Sequence, residues 1–241
     1  MHTDHKRSIP LILLTGTTAI AVAVGLVLSL TSPPDAFQGD FARIFHVHVP
    51  SAWIAFLAFG FTAVGSLGWL IRKHHICDLF AASSAQIGVV FTGAAIISGS
   101  LWGKTVWGTY WDWSDKRLTT TALMFFVYLG YLAIRHATDD PLQRANRSAF
   151  VGIVGALQLP LVYFSVRLWR TLHPGTTITP GNIDMDSEML RAFLANLFAF
   201  TLAFMTLLVF QIRLETARHE STQTETLPAG AGIEPPRLGQ E

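Results

Sequence analysis

Six apolar runs, none broken by Asp, Glu, Lys or Arg, decide what this chain can become. They cover about Ser8–Thr31, Pro50–Ile71, Leu79–Leu101, Leu118–Ile134, Ser148–Val166 and Ala192–Ile212. Each is long enough to cross roughly 30 Å of hydrocarbon at about 1.5 Å per residue. Inside a bilayer the backbone must satisfy its own hydrogen bonds, so these runs are expected to be helices. With 51% hydrophobic and 14% charged residues, the composition agrees. The expected fold is an all-α integral membrane protein, a six-transmembrane-helix bundle over residues 1–213. From Glu215 the chain turns polar and rich in Pro and Gly, so 214–241 reads as a disordered cytoplasmic tail.

Several classes drop out early. The first run is too long for a signal-peptide core, and "SLTSPPDAF" has no small-x-small cleavage site, so it reads as a retained helix. Cys77 is the single cysteine, which rules out an internal disulfide. A net charge of +1 argues against nucleic acid as a partner. The sequence has no phosphate loop, nucleophile elbow or metalloprotease helix motif, so no enzymatic activity is expected. "HHIC", His74 to Cys77, is only a weak metal pattern.

Lys and Arg are in excess on the side that holds the N-terminus, which predicts both termini in the cytoplasm. The segments after the first, third and fifth runs then share the outer face. They carry "RIFHVHVP", "WGTYWDWSDKRLTT" and "RLWRTLHPG". Residues 32–47, 102–117 and 171–188 are expected outside.

Each of these segments has a bland reading and a chemical one. Pro50 fits the first turn of the second helix and pushes Val49 towards extended backbone, leaving His48 at the joint. Phe37, Phe41, Ile44 and His48 fall on one face of a short interfacial helix. His48 is then either part of an aromatic belt or a ligand, and His46 points about 200° away on a helical wheel. His173 precedes Pro174-Gly175, which is expected to end the fifth helix, so it either complements that helix end or is a second ligand. Two opposed imidazoles from different helices suit a six-coordinate haem, with arginines for its propionates. Zinc would want about four N/S ligands, and the outer face offers no cysteine. Four of the seven tryptophans lie between Trp102 and Trp113, too dense for an interfacial belt and suited to a large planar ligand. Elsewhere, Pro160 is expected to kink the fifth helix, and Gln86, Gln158 and Asn196 to bond across helices.

With those residues in view, the chain resembles the haem-handling protein family and, within it, the cytochrome c maturation protein C group. The resemblance lies in the tryptophan-rich WWD segment, here "WGTYWDWSDKRLT" within residues 102–119, with the order W-G-T-aromatic-W-x-W then D-x-R-L-T. It also lies in the flanking histidines of "HVHVPSAW" and "SVRLWRTLHPG", and covers about Ile9 to Arg213. Larger relatives usually read W-D-P followed by a glutamate and have more helices. Ser114 looks inserted between Trp113 and Asp115, so either Asp115 or Asp112 takes the family aspartate's place; the D-x-R-L-T register favours Asp115.

The resemblance implies haem b held at the periplasmic face, with His48 and His173 as axial ligands. It implies a platform of Trp107, Gly108, Trp111, Trp113, Asp115 and Arg117, with Arg43 and Arg117 on the propionates. It further implies delivery of haem to a periplasmic haem chaperone for c-type cytochrome biogenesis. The implied setting is the bacterial inner membrane, beside ABC ATPase and permease subunits and a small single-span membrane subunit. Two rivals remain. A membrane permease subunit translocating haem or another solute would show broken helices or midplane charges. A membrane cytochrome b would carry its histidines inside the spans, and none is expected there.

Overall fold

The computed structural model describes residues 3–173, 178–179, 182–183 and 185–226. It is a bundle of helices, six of them long and apolar enough to cross a membrane, so the chain is a multi-pass membrane protein. These are α1 (Thr3–Thr31), α2 (Phe45–Arg72), α3 (His75–Trp107), α4 (Lys116–His136), the pair α5 (Pro141–Ala156) and α6 (Gln158–Leu168), and α7 (Ser187–Thr226). α5 and α6 together make one span, interrupted at Leu157. Pro160 lacks the N–H that would bond the carbonyl of Ala156, which accounts for the break. The one departure from an all-helical chain among the described residues is a hairpin of two-residue strands. β1 (Ile178–Thr179) pairs antiparallel with β2 (Asn182–Ile183).

α2 and α3 form the central pair, joined by a tight link in which Lys73 is left-handed (φ 52°) and the His74 side chain caps α3 through Ile76 N–H. Phe59 of α2 stacks on Tyr128 of α4 with ring centres 3.6 Å apart. Around them Ala85, Met124, Tyr131 and Val162 complete a buried core. α1 stays peripheral and leans on α7, where small and polar residues let the backbones meet. There Asn196 Nδ2 donates to Gly25 O (3.0 Å) and Ser29 Oγ (2.8 Å), and Thr18 bonds Thr206 (2.7 Å). Gln86 bonds Gln211 as expected, whereas the buried Gln158 carbonyl oxygen has no partner.

Local expectations are corrected at four places. α2 begins at Phe45, so Val49 is helical and Pro50 lies inside the helix; His46 and His48 sit in its first turns. Pro50 gives up one intrahelical bond, to His46 O, and the helix runs on through it. The expectation that no histidine lies in a span therefore fails, although His48 is at the helix end, far from the middle of the span. The interfacial helix over 37–48 does not form. Gly39 (φ 59°) closes a turn with Asp35, a short 3-10 helix (Asp40–Ile44) follows, and Phe37 is 98% exposed. The fifth span ends at Leu168, with Trp169 extended, so His173 lies beyond any helix C-terminus; Pro174-Gly175 lie outside the described residues. α7 runs through Glu215 to Thr226, where a disordered tail was expected. Extending an existing helix is cheap compared with nucleating one, and a Glu215–Arg218 pair at 2.7 Å helps. Residues 227–241 lie outside the described residues.

Candidate functional site

The segment "WGTYWDWSDKRLTT" is a loop flanked by two helix ends. α3 continues to Trp107 and stops at Gly108, whose φ of 76° is left-handed and favours glycine. The loop proper is therefore 108–115, shorter than the 102–117 expected. α4 restarts at once because Asp115 is its N-cap. Asp115 Oδ1 accepts from the backbone N–H of Arg117 (2.9 Å) and Leu118 (3.0 Å). The same carboxylate reaches across the outer face, where Oδ2 accepts from Leu172 N–H at 2.6 Å. Asp115 is thus 3% exposed and ties the tryptophan loop to the residue beside His173.

That tie brings the two histidines together. The rings of His48 and His173 lie with centres 6.1 Å apart and planes inclined at 51°. His48 Nδ1 bonds Ala95 O (3.0 Å) and lies 3.3 Å from Ser98 Oγ. A carbonyl only accepts, so Nδ1 carries the proton and Nε2 keeps its lone pair. The ring fits there because α3 has no side chain at Gly99, where a Cβ would come within 2.7 Å of His48 Cε1. His173 Nδ1 is buried with no hydrogen-bond partner. Burial, with Arg117 and His48 alongside, pushes the His173 imidazole down to about 3, so the ring is neutral at ordinary pH. A metal bonded to an imidazole nitrogen at about 2.0–2.1 Å on each side would hold opposed ring centres roughly 6 Å apart. The histidine pair has that spacing.

Between the rings lies a cavity of about 70 Å³. Phe56, Met124 and Val162 make its floor, while His48, His173 and Arg117 stand at its mouth. Its size is well below the roughly 300–1,000 Å³ of small-molecule pockets, so a large planar guest requires the walls to part. The non-helical stretches beside it are the 108–115 loop and residues 169–173. Arg117 makes no salt bridge among the described residues, since the nearby Asp115 carboxylate is committed to backbone N–H groups. Arg117 thus lines the cavity beside an acid that is occupied by backbone N–H groups.

The tryptophans divide. Trp107 packs on His173 at 5.6 Å and Trp111 lines the cavity with its indole N–H buried and unbonded. Trp102 sits edge-on to His48 at 5.9 Å and donates to Gln38 Oε1 at 2.6 Å. Trp113 stacks edge-on to Trp111 but is 67% exposed and does not line the cavity. Thr119, the last letter of D-x-R-L-T, donates to Trp113 O at 2.7 Å and fastens the loop. Arg43 is not brought to the cavity wall. Its guanidinium bonds Ser32 O (2.8 and 3.2 Å) and pairs with Asp40 at 3.1 Å. His46 is fully buried on the other side of α2, near Met189. Among the described residues no group of three or more His, Cys, Asp or Glu is placed to hold a metal ion.

Residues 4–227 match the family described as "Heme exporter protein C". The chain belongs to that family. Among curated members, the heme exporter protein C of Bradyrhizobium diazoefficiens is 39% identical over 217 residues, 90% of this chain and 82% of the relative. That of Paracoccus denitrificans is 35% identical over 83% of each chain. That of Escherichia coli K12 is 35% identical over 76% of this chain and 73% of its own. The heme exporter protein C match spans every element that builds the histidine pair, from α2 to the segment after α6.

Proposed function

We propose that this protein holds haem b at the periplasmic face of the bacterial inner membrane and passes it to a periplasmic haem chaperone for c-type cytochrome assembly. The observation that carries the reading is the pair of imidazoles with ring centres 6.1 Å apart on the wall of a mostly apolar cavity. Haem is cargo here. It supplies an iron with two open axial positions, two anionic propionates and a greasy ring. This chain supplies His48, fixed by Ala95 O, and His173, fixed through Leu172 and Asp115. Trp107 and Trp111 offer flat apolar contact, and Arg117 offers a charge-assisted bond to a propionate. Arg43 reaches the second propionate only by releasing Ser32 O or Asp40. Trp113, exposed beside the mouth, is the contact for the chaperone. The ABC ATPase and permease subunits and the small single-span subunit complete the assembly, and both termini of this chain lie in the cytoplasm. The family name favours this over a permease for an unrelated solute.

The test is a reduced-minus-oxidised haem spectrum of the purified protein. A low-spin, two-histidine spectrum is expected, and a protein that never carries haem defeats the proposal. Two variants refine it. Arg117→Ala removes one charge-assisted bond and should weaken haem retention by about 1.5–3 kcal/mol, seen as a faster transfer of haem to apomyoglobin. Gly99→Ala should lower thermal stability only modestly, because alanine's helix preference of about 0.5–1 kcal/mol offsets part of the clash. It should nonetheless disturb the low-spin spectrum, since the new Cβ displaces the His48 ring. An unchanged spectrum would mean His48 is no ligand.

A further inference from the structure

A second cavity, of about 320 Å³, opens at the other end of the bundle. It lies where α3 begins and α4 ends, so along α3 it is about 36 Å from Gly99. Its walls carry three arginines, Arg135, Arg144 and Arg218, together with His75 and His136. The acids facing them are Asp78 and Glu215. Both acids are already engaged. Asp78 forms a buried two-pronged pair with Arg135, at 2.5 Å from Nη1 and 2.9 Å from Nη2. Glu215 accepts from Arg218 Nη1 at 2.7 Å.

Among the described lining residues three guanidinium groups stand against two carboxylates, so one guanidinium has no carboxylate of its own. The structure identifies it. Arg144 makes no salt bridge among the described residues, and its Nε is buried without a hydrogen-bond partner. Its Cα is held by the start of α5, where Asp140 caps Gln143 N–H at 2.6 Å, so the side chain leaves a fixed point. A half-buried guanidinium with an unmet donor is costly, and a planar fork of donors matches a carboxylate or phosphate. Arg135, locked in place by Asp78, presents a second cation to the same space.

We propose that this cavity binds an oxyanion, the phosphate or carboxylate of a ligand, with Arg144 as first contact and Arg135 as second. The chemistry is shared by an anionic phospholipid headgroup and by a free phosphate-bearing solute. The place, at the helix ends, suits both. The proposal does not depend on haem being the cargo of the opposite face.

The experiment uses the full chain in detergent micelles and follows thermal unfolding by tryptophan fluorescence. The probes are sodium phosphate, sodium chloride at matched ionic strength, phosphatidylglycerol and phosphatidylcholine. The melting temperature is expected to rise with phosphate or with phosphatidylglycerol, and not with chloride or phosphatidylcholine. A rise with phosphate itself points to a free oxyanion; a rise with phosphatidylglycerol alone points to a lipid headgroup. In Arg144→Gln the rise should shrink by about threefold or more, as expected when a ligand binds the folded state more weakly. That variant loses no ion pair, unlike a change at Arg135. Phenylglyoxal labelling of Arg144 in the unaltered protein, read by peptide mass spectrometry, needs no variant and should slow by about threefold with the effective probe. No rise with either anion, an equal rise in Arg144→Gln, or labelling that the probe does not slow overturns the proposal.

Discussion

Replacing His48 or His173 with alanine is expected to abolish the low-spin, two-histidine haem spectrum of the purified protein. The two losses should differ because the two rings are held differently. His48 stands on a helix and leans on Ala95 O and Ser98 Oγ, so its removal leaves a firm notch beside Gly99. Free imidazole can occupy that notch, and its Nδ1 equivalent finds the same carbonyl waiting. Added imidazole should therefore restore much of the spectrum in His48→Ala. His173 lies on a segment outside any helix, anchored through its neighbour Leu172. Without the ring that segment is free to collapse on Trp107, so imidazole should restore less in His173→Ala, and a five-coordinate species should persist. If both variants keep the unaltered spectrum, the ligands lie elsewhere. His46 would not readily take their place, because it is fully buried on the far side of α2.

The spans were legible because hydrocarbon leaves a charge-free run one solution, and the six runs match the six helices to within a few turns. That both histidines share one face followed from the alternation of the spans; their close approach did not. What sequence could not supply were effects of packing at close range. Pro50 signals a helix start, yet α2 begins at Phe45 and carries Pro50 inside it, with one intrahelical bond, to His46 O, given up. Gly99 looks like any small residue in a membrane helix until the His48 ring is set against it. Arg43 shares the local chemistry of Arg117 but is turned to Ser32 and Asp40 by the Gly39 turn, a long-range outcome of one backbone angle. The link from Asp115 to Leu172 joins residues 57 apart in the chain. Only the D-x-R-L-T pattern hinted at it, by placing an N-cap where a helix must restart.

Asp115→Asn should cost haem binding while sparing the fold, and Asp112→Asn should cost neither. Asp115 serves two structures with one carboxylate. Oδ1 caps α4, and Oδ2 holds Leu172 N–H and with it the His173 segment. Asparagine is as good an N-cap as aspartate, so its single carbonyl oxygen can keep the helix start intact. Its amide nitrogen then faces Leu172 N–H, donor against donor. One charge-assisted bond worth about 1.5–3 kcal/mol is lost on the side that positions the ligand. The expected signature is a melting temperature close to that of the unaltered protein, with haem retained weakly and partly five-coordinate. Asp115→Ala loses the cap as well, at about 1 kcal/mol more, and should also lower the melting temperature. Asp112 is different in kind. Its Oδ1 accepts from Ser114 N–H at 2.8 Å in a local turn, and asparagine makes the same turn. Deleting Ser114 removes that turn without touching the Asp115 cap, so haem content should survive the deletion. Haem lost in Asp112→Asn but kept in Asp115→Asn would show that the aspartate of this loop acts on the ligand itself, and not by anchoring the segment that carries His173.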